Sequence, residues 1–331
     1  MILKNKKEIK MLYSLKNPIM VTVDYVGDTF QIMSDDYQDI LYNGKATATK
    51  DIDLTPIFRQ LVSPTNYSFN NGDVGSVNVY EFYYATGDRT PVLYEVLWDY
   101  KDNLQKTSTF DVFNYGIQDY VYNGQWFPLV IYNDSDSHTT VDLMELDEQG
   151  YGGSNKTFRV PSKGSYFLNA KLYIVDEGTS VHYEGNNGLK LSNTYKCRLC
   201  VPDNTITLYY INKSGGLSWV HCDKKNIKET NITRNQIEHR TSNTSQFGID
   251  NYHIQTYKSY TLNTGFLTDT QSELIQELFI SPKVWLFDYK ERTPKTIVLT
   301  DTKTTVKNFS NDKMFNYTIN CKDSIVENIF A

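Results

Sequence analysis

Cysteine is scarce. The 331 residues hold four: Cys197, Cys200, Cys222 and Cys321. They form no regular disulfide framework, which argues against a disulfide-stapled scaffold and fits a reducing compartment. Long apolar runs are missing too. No stretch approaches the ~20 apolar residues that a membrane-spanning helix needs. The N-terminus starts basic, but no uninterrupted apolar run follows, so it is not read as a secretory signal. Charge of one sign is nowhere concentrated. The formal net charge is −6, and there is no Lys/Arg face of the kind a nucleic-acid reader requires. The one basic cluster, Lys4, Lys6, Lys7 and Lys10, reads as a solvated tail. The expectation is a chain that neither inserts into a membrane nor reads nucleic-acid sequence.

The motifs of common enzyme chemistry are also missing. There is no Gly-x-x-x-x-Gly-Lys-Ser/Thr loop, no Gly-x-Gly-x-x-Gly after a strand, no His-Glu-x-x-His and no Gly-x-Ser-x-Gly. The Gly150 to Gly153 cluster is read as a turn, because no helix-like segment follows it. The five histidines, His138, His182, His221, His239 and His253, lack ligand spacing. Asp134, Asp136 and His138 share a polar loop, yet the Gly and distal Glu of an EF-hand loop are absent. Asn-x-Ser/Thr triplets such as Asn66-Tyr67-Ser68 are chance matches in so Asn-rich a chain. No catalytic, cofactor-binding or metal-binding residue is assigned, and the chain is read as a non-enzyme.

Aromatic residues are plentiful. Tyr occurs 26 times and Phe 16 times, within a hydrophobic share of 40%. That share can fill real cores. Tyr packs well on a half-buried pleated surface and is favoured at protein–protein contacts. The composition points to β structure.

The pattern along the chain predicts a mainly β fold: two to three β-sandwich or barrel-like modules with one or two short helices. Three units are expected, over 1–90, 91–190 and 191–331. In the first, Ile19 to Val23 and Thr29 to Met33 read as strands, the latter alternating. Asn43-Gly44 predicts a hairpin turn, since both residues tolerate φ > 0. Asp53 to Val62 reads as a short helix capped by Thr55, and 63–75 as a loop. In the second unit, strands are expected near 91–100, 126–132, 141–146, 156–160 and 171–175, spaced as in a sandwich. In the third, Thr205 to Ile211 and Leu217 to Val220 form a hairpin. The polar segment 223–251 is read as an exposed arm or long loop. Residues 268–279 are the best helix, with a Thr268/Gln271 capping box and the buried stripe Leu274, Ile275, Leu278, Phe279. Val284 to Phe287, Thr296 to Leu299 and Met314 to Ile319 close the chain as strands. Trp219 and Trp285 are expected in the core.

One cluster has metal-like residue types: Cys197-x-x-Cys200 with His221-Cys222. The first pair has the spacing of half a zinc site. Adjacent strand residues point to opposite faces, so His221 and Cys222 could both ligate only if the backbone turned there. The plainer reading is buried small hydrophobes and edge residues.

The hairpin Leu208-Tyr209-Tyr210-Ile211-Asn212-Lys213-Ser214-Gly215-Gly216-Leu217-Ser218-Trp219 resembles an element of virion proteins from crAss-like phages that infect Bacteroidetes. The order that follows is similar as well: a polar stretch, a strand, a capped helix ending at Ser281-Pro282, and closing strands. So is the N-terminal order from Asn17-Pro18 to Asp53-Leu54. The middle, 91–190, matches nothing. The resemblance implies a neck or tail structural protein, a subunit of a homo-oligomeric ring that contacts neighbouring rings. It implies other copies of the chain and adjacent virion proteins as partners, and location in a virion made in the host cytoplasm. It carries over no site residue. The alternative is a carbohydrate-binding or adhesin-like β-sandwich, which would use the same supply of aromatics for sugar stacking.

Overall fold

The computed structural model describes residues 11–14, 19–22, 29–33, 40–45, 51–61, 67, 69, 74–76, 79–86, 92–97, 110–112, 115–133, 135–162, 164–186, 188–213, 215–239, 248–301 and 315–330. The chain is mainly β. Its first strands are β1 (Met11–Ser14), β2 (Met20–Thr22), β3 (Thr29–Met33), β4 (Ile40–Lys45) and β5 (Asp51–Asp53), followed by helix α1 (Thr55–Leu61). Then come β6 (Val74–Ser76), β7 (Val79–Thr86) and β8 (Val92–Leu97). A five-stranded sheet runs β1-β8-β7-β3-β4, and β2 pairs with β5.

Two expectations for this region are corrected. Asn43 and Gly44 lie inside β4, paired with Gln31 and Phe30, and make no hairpin turn. The Phe30 ring lies over Gly44, so closely that a Cβ there would sit 2.4 Å from it. The glycine serves ring packing, not a turn. Thr55 does not cap α1 either. Its hydroxyl accepts from the Ile19 amide at 2.8 Å, while Asp53 Oδ1 accepts from the Thr55 amide. The threonine therefore ties the helix start to the first strands.

The central strands are β9 (Phe110–Val112), β10 (Tyr120–Tyr122), β11 (Trp126–Asn133), β12 (Thr139–Leu146), β13 (Gly152–Val160), β14 (Gly164–Lys171), β15 (Ser180–Gly185) and β16 (Tyr195–Arg198). They form two sheets, β6-β14-β11-β9 and β10-β16-β15-β12-β13. The sheets meet where Phe127 stacks on Tyr183 at 5.0 Å and the Tyr183 hydroxyl donates to the Phe127 carbonyl at 2.6 Å. Alternation on β12 follows the half-buried pattern a sandwich face demands. The strand expected at 171–175 instead ends at Lys171. Beyond it, Leu172 and Ile174 bond to the Gln125 carbonyl and the Asn123 side chain, leaving Tyr173 outward.

The last strands are β17 (Ile206–Ile211), β18 (Leu217–Cys222), β19 (Ile227–His239) and β20 (Gly248–Leu267), then helices α2 (Asp269–Leu274) and α3 (Gln276–Phe279), then β21 (Val284–Asp288), β22 (Pro294–Leu299), β23 (Phe315–Asp323) and β24 (Glu327–Phe330). They build one eight-stranded sheet, β18-β17-β21-β22-β23-β20-β19, with β24 also on β20. Strands β17, β18 and β21 are buried along their whole length. The period of two explains how. Tyr209, Trp219, Trp285 and Phe287 face the central sandwich, where they join its core. Leu208, Tyr210, Val220 and Leu286 face a second core closed by Ile275 and Leu278. A strand covered on both faces can be apolar throughout.

The core does not stop at residue 190. Residues from Tyr67 to Phe287 share one cluster. Tyr67 and Phe69, in the segment read as a loop, lie among these rings: Tyr67 is 4.8 Å from Phe167 and Phe69 is 5.3 Å from Tyr209.

The helix expected at 268–279 forms, broken at Ile275. Its capping box is complete: Thr268 accepts from the Gln271 amide, and the Gln271 side chain accepts from the Thr268 amide. Thr268→Ala is therefore expected to cost about 1 kcal/mol, read as a lower urea midpoint at unchanged slope. Among the described residues no helix is long and apolar enough to cross a membrane.

Candidate functional site

The segment 223–251, expected as a loose arm, is mostly a β-ribbon. Strand β19 pairs with β20 from Ile227↔Thr261 out to His239↔Gly248. Only the Ser259 to Leu267 half of β20 is bound into the sheet by β23, and His253 to Thr256 pair with β24. Among the described residues no sheet lies beneath the outer part, and the β19 side chains there are exposed on both faces. This explains why its sequence shows no apolar alternation. Polar side chains hold it instead: Asn231 Nδ2 donates to Ser259 Oγ at 2.8 Å, and Gln236 Nε2 to Asn251 Oδ1 at 3.1 Å. At its base Lys228 is ion-paired with the buried Asp288. Burial alone would raise the Asp288 carboxyl, but the Lys228 and Lys290 ammonium groups and the Lys290 amide outweigh it and hold the carboxyl below its usual range.

Strand β19 ends the sheet, and among the described residues nothing pairs with its outer edge. A long exposed edge is a template for another strand. Apolar side chains sit on it in the open. Ile232, Ile237 and Ile249 are 48%, 47% and 64% exposed. The register puts Ile232, paired with Thr256, and Ile249, paired with Glu238, on the face that carries Tyr260 into the core. Tyr252 is the unpaired residue of the bulge opposite Asn235/Gln236 and is 53% exposed.

The metal-like residues are not brought together. Cys197 lies in the central core and Cys222 in the second one, on opposite faces of the shared sheet, while Cys200 is exposed. Burial pushes the Cys197 thiol up to about 11, and Cys321 to about 12. Zinc needs the thiolate. Both ring nitrogens of His221 are engaged within the protein, at 2.9 Å from Thr207 Oγ1 and 3.1 Å from the Tyr120 carbonyl. Among the described residues no three His, Cys, Asp or Glu side chains are grouped as ligands. Asp134 lies outside the described residues. His138 is exposed in a turn held by Ser135 and Ser137.

Sequence reasoning missed a buried polar network. The Tyr120 and Tyr122 hydroxyls both donate to Asp223, at 3.0 and 3.3 Å, and the Arg198 guanidinium lies 3.6 Å over the Tyr120 ring. His221 stacks on Tyr120 and meets Tyr122 edge-on. The residues come from segments about a hundred positions apart, so no local pattern announces them.

No known family profile matches the chain, and no curated protein does. Among solved structures, the crystal structure of calcium-binding domain CBD12 of CALX1.1 aligns over 53% of this chain and 76% of its own length, at 11% identity and a TM-score of 0.18. A likeness that weak says nothing about what this chain binds.

Proposed function

We propose that the chain is a phage virion structural protein, one subunit of a homo-oligomeric ring in the neck or tail. The observation that carries this reading is the open edge of β19, 13 residues long, beside exposed Ile232 and Ile249. A neighbouring copy that adds a strand there satisfies the edge and covers the isoleucines. For a ring the neighbour offers a surface other than its own β19 edge, so that the contact is head-to-tail and closes. The resemblance of the 208–219 hairpin to crAss-like phage virion proteins supplies the particle. Adjacent neck or tail proteins are the other partners.

The test is light scattering of the purified chain, alone and with neighbouring virion proteins. Wild type is expected to form large assemblies. The double variant Ile232→Glu/Ile249→Glu is expected to keep its circular dichroism and melting temperature but to stay monomeric, because two charges would be buried at the joint. A wild-type chain that is strictly monomeric under both conditions overturns the ring. A double variant that assembles normally removes the ribbon from the contact. Exposed Tyr151 and Tyr173, at 77% and 63%, favour the carbohydrate-binding alternative, which a monomer retained on a glycan array would support.

A further inference from the structure

Away from the ribbon, a cleft of about 320 Å³ opens where the Asn123-Gly124 turn, the end of β14 and the β21–β22 turn converge. Its size is at the low end of small-ligand sites. Phe287 and Tyr289 lie at its base, Tyr173 stands at its rim, and Asn123, Lys171 and Arg292 contribute polar groups. None of its lining residues is acidic.

The polar groups share one character. Asn123 Oδ1 is already used as acceptor for the Ile174 amide at 3.1 Å, so its Nδ2 is left to donate. Lys171 is an ammonium donor, with Nζ 5.6 Å from the centre of the Trp126 ring. Arg292 offers a guanidinium, and among the described residues no carboxylate pairs with it. The Tyr289 hydroxyl is turned away to Thr207 at 3.1 Å, so the base presents ring and not hydroxyl. The cleft thus sets the Asn123 amide, the Arg292 guanidinium and the positive charge of Lys171 over aromatic surface. It asks for an anionic acceptor on a ligand with an apolar face.

Arg292 also sits at φ 60°, in left-handed backbone. Glycine or asparagine would take that conformation at less cost. The turn itself is held without the side chain, by the Arg292 amide to the Asp288 carbonyl at 2.8 Å. A strained backbone that presents a guanidinium to a cleft, with no carboxylate partner among the described residues, is placed for binding. The planar fork of Arg fits a carboxylate bidentately, and an aromatic ring at the rim fits the C–H face of a sugar.

We infer that this cleft binds an acidic sugar, with the carboxylate on Arg292 and the ring face on Tyr173. The site is separate from the assembly surface and stands whether or not a ring forms.

The test titrates the full-length chain with glucuronate, methyl glucoside, acetate and inorganic phosphate at low salt, followed by calorimetry and protein NMR. Glucuronate is expected to bind at about millimolar Kd, with the neutral glycoside at least about tenfold weaker. Arg292→Gly removes the guanidinium and suits the backbone. It is expected to fold with an equal or higher melting temperature and to weaken glucuronate about tenfold. Tyr173→Ala is expected to weaken glucuronate and leave acetate unchanged. Absence of glucuronate binding at tens of millimolar overturns the assignment. So does a neutral glycoside, acetate or phosphate that binds as tightly, or an Arg292→Gly chain that binds glucuronate as wild type does.

Discussion

Trp219→Ala is expected to destabilise the chain by about 3–5 kcal/mol, the range for removing a large ring from a packed core. Trp219 is 1% exposed and lies where two layers join. It sits on β18 of the eight-stranded sheet but packs on the central sandwich, 5.5 Å from the Phe127 ring and 5.1 Å from Tyr195. Its backbone carbonyl accepts from the Ile117 amide at 2.9 Å, which pins the 115–118 segment along the β18 edge. Gly116 lies against the indole so closely that a Cβ would come within 2.5 Å of it. The ring therefore has backbone on one side and aromatic rings on the other, and little can move in to fill the hole. Trp219→Phe is expected to cost less, because the indole Nε1 has no partner to lose. Gly116→Ala should be costly in wild type and milder in Trp219→Phe, a coupling between neighbours that a double-mutant cycle in urea reads directly. Additive costs would mean the two do not touch.

How much of this was legible follows from where each signal is stored. The capping box at Thr268 and Gln271 is local chemistry, and it formed as the spacing predicts. The 205–220 hairpin is local too: Asn212 Oδ1 accepts from the Gly216 amide at 3.0 Å and Gly215 adopts φ 77°. Even Trp219 and Trp285 could be placed in the core, because few environments suit an indole on a strand. Asn43-Gly44 shows the limit. The dipeptide tolerates a turn but does not require one, and the Phe30 ring across the sheet decided otherwise.

The ribbon was hidden for a different reason. Period-two reading detects a strand only when one face is buried and the other wet. The outer part of β19 is wet on both, so its strand character rests on backbone pairing that side chains do not record. The cleft at Arg292 was hidden by distance: its walls come from residues 123, 171–173, 201 and 287–292. The positive φ at Arg292 is a property of the folded turn and leaves no mark in composition.

His221 carries the second large effect. Acid is expected to remove about 3 kcal/mol of stability between pH 6.5 and 4. The imidazole is fully buried, and that burial lowers its pKa to about 4; the Tyr120 carbonyl and Asp223 oppose the shift, and the Arg198 charge adds to it. An unfolded histidine titrates near ~6.5. The unfolded chain thus binds this proton first, so stability is full above pH 6.5, falls as pH drops, and levels off below about 4. The span is about 2.5 units at 1.36 kcal/mol each. Geometry explains the resistance. The Tyr120 carbonyl can only accept, so Nε2 carries the hydrogen and Nδ1 must accept from Thr207, whose oxygen in turn accepts from Tyr289. A proton on Nδ1 would face the Thr207 hydroxyl and force that chain to reverse. His182 is also lowered, first by burial and against support from Glu184, so it adds to any loss in the same window. Urea unfolding at pH 7, 6 and 5 separates them. His221→Gln should be less stable at pH 7 but nearly flat with pH, whereas His182→Gln should keep most of the slope. Wild type that is equally stable at pH 7 and 5 would mean that a charge at position 221 finds water, and that the network around it opens.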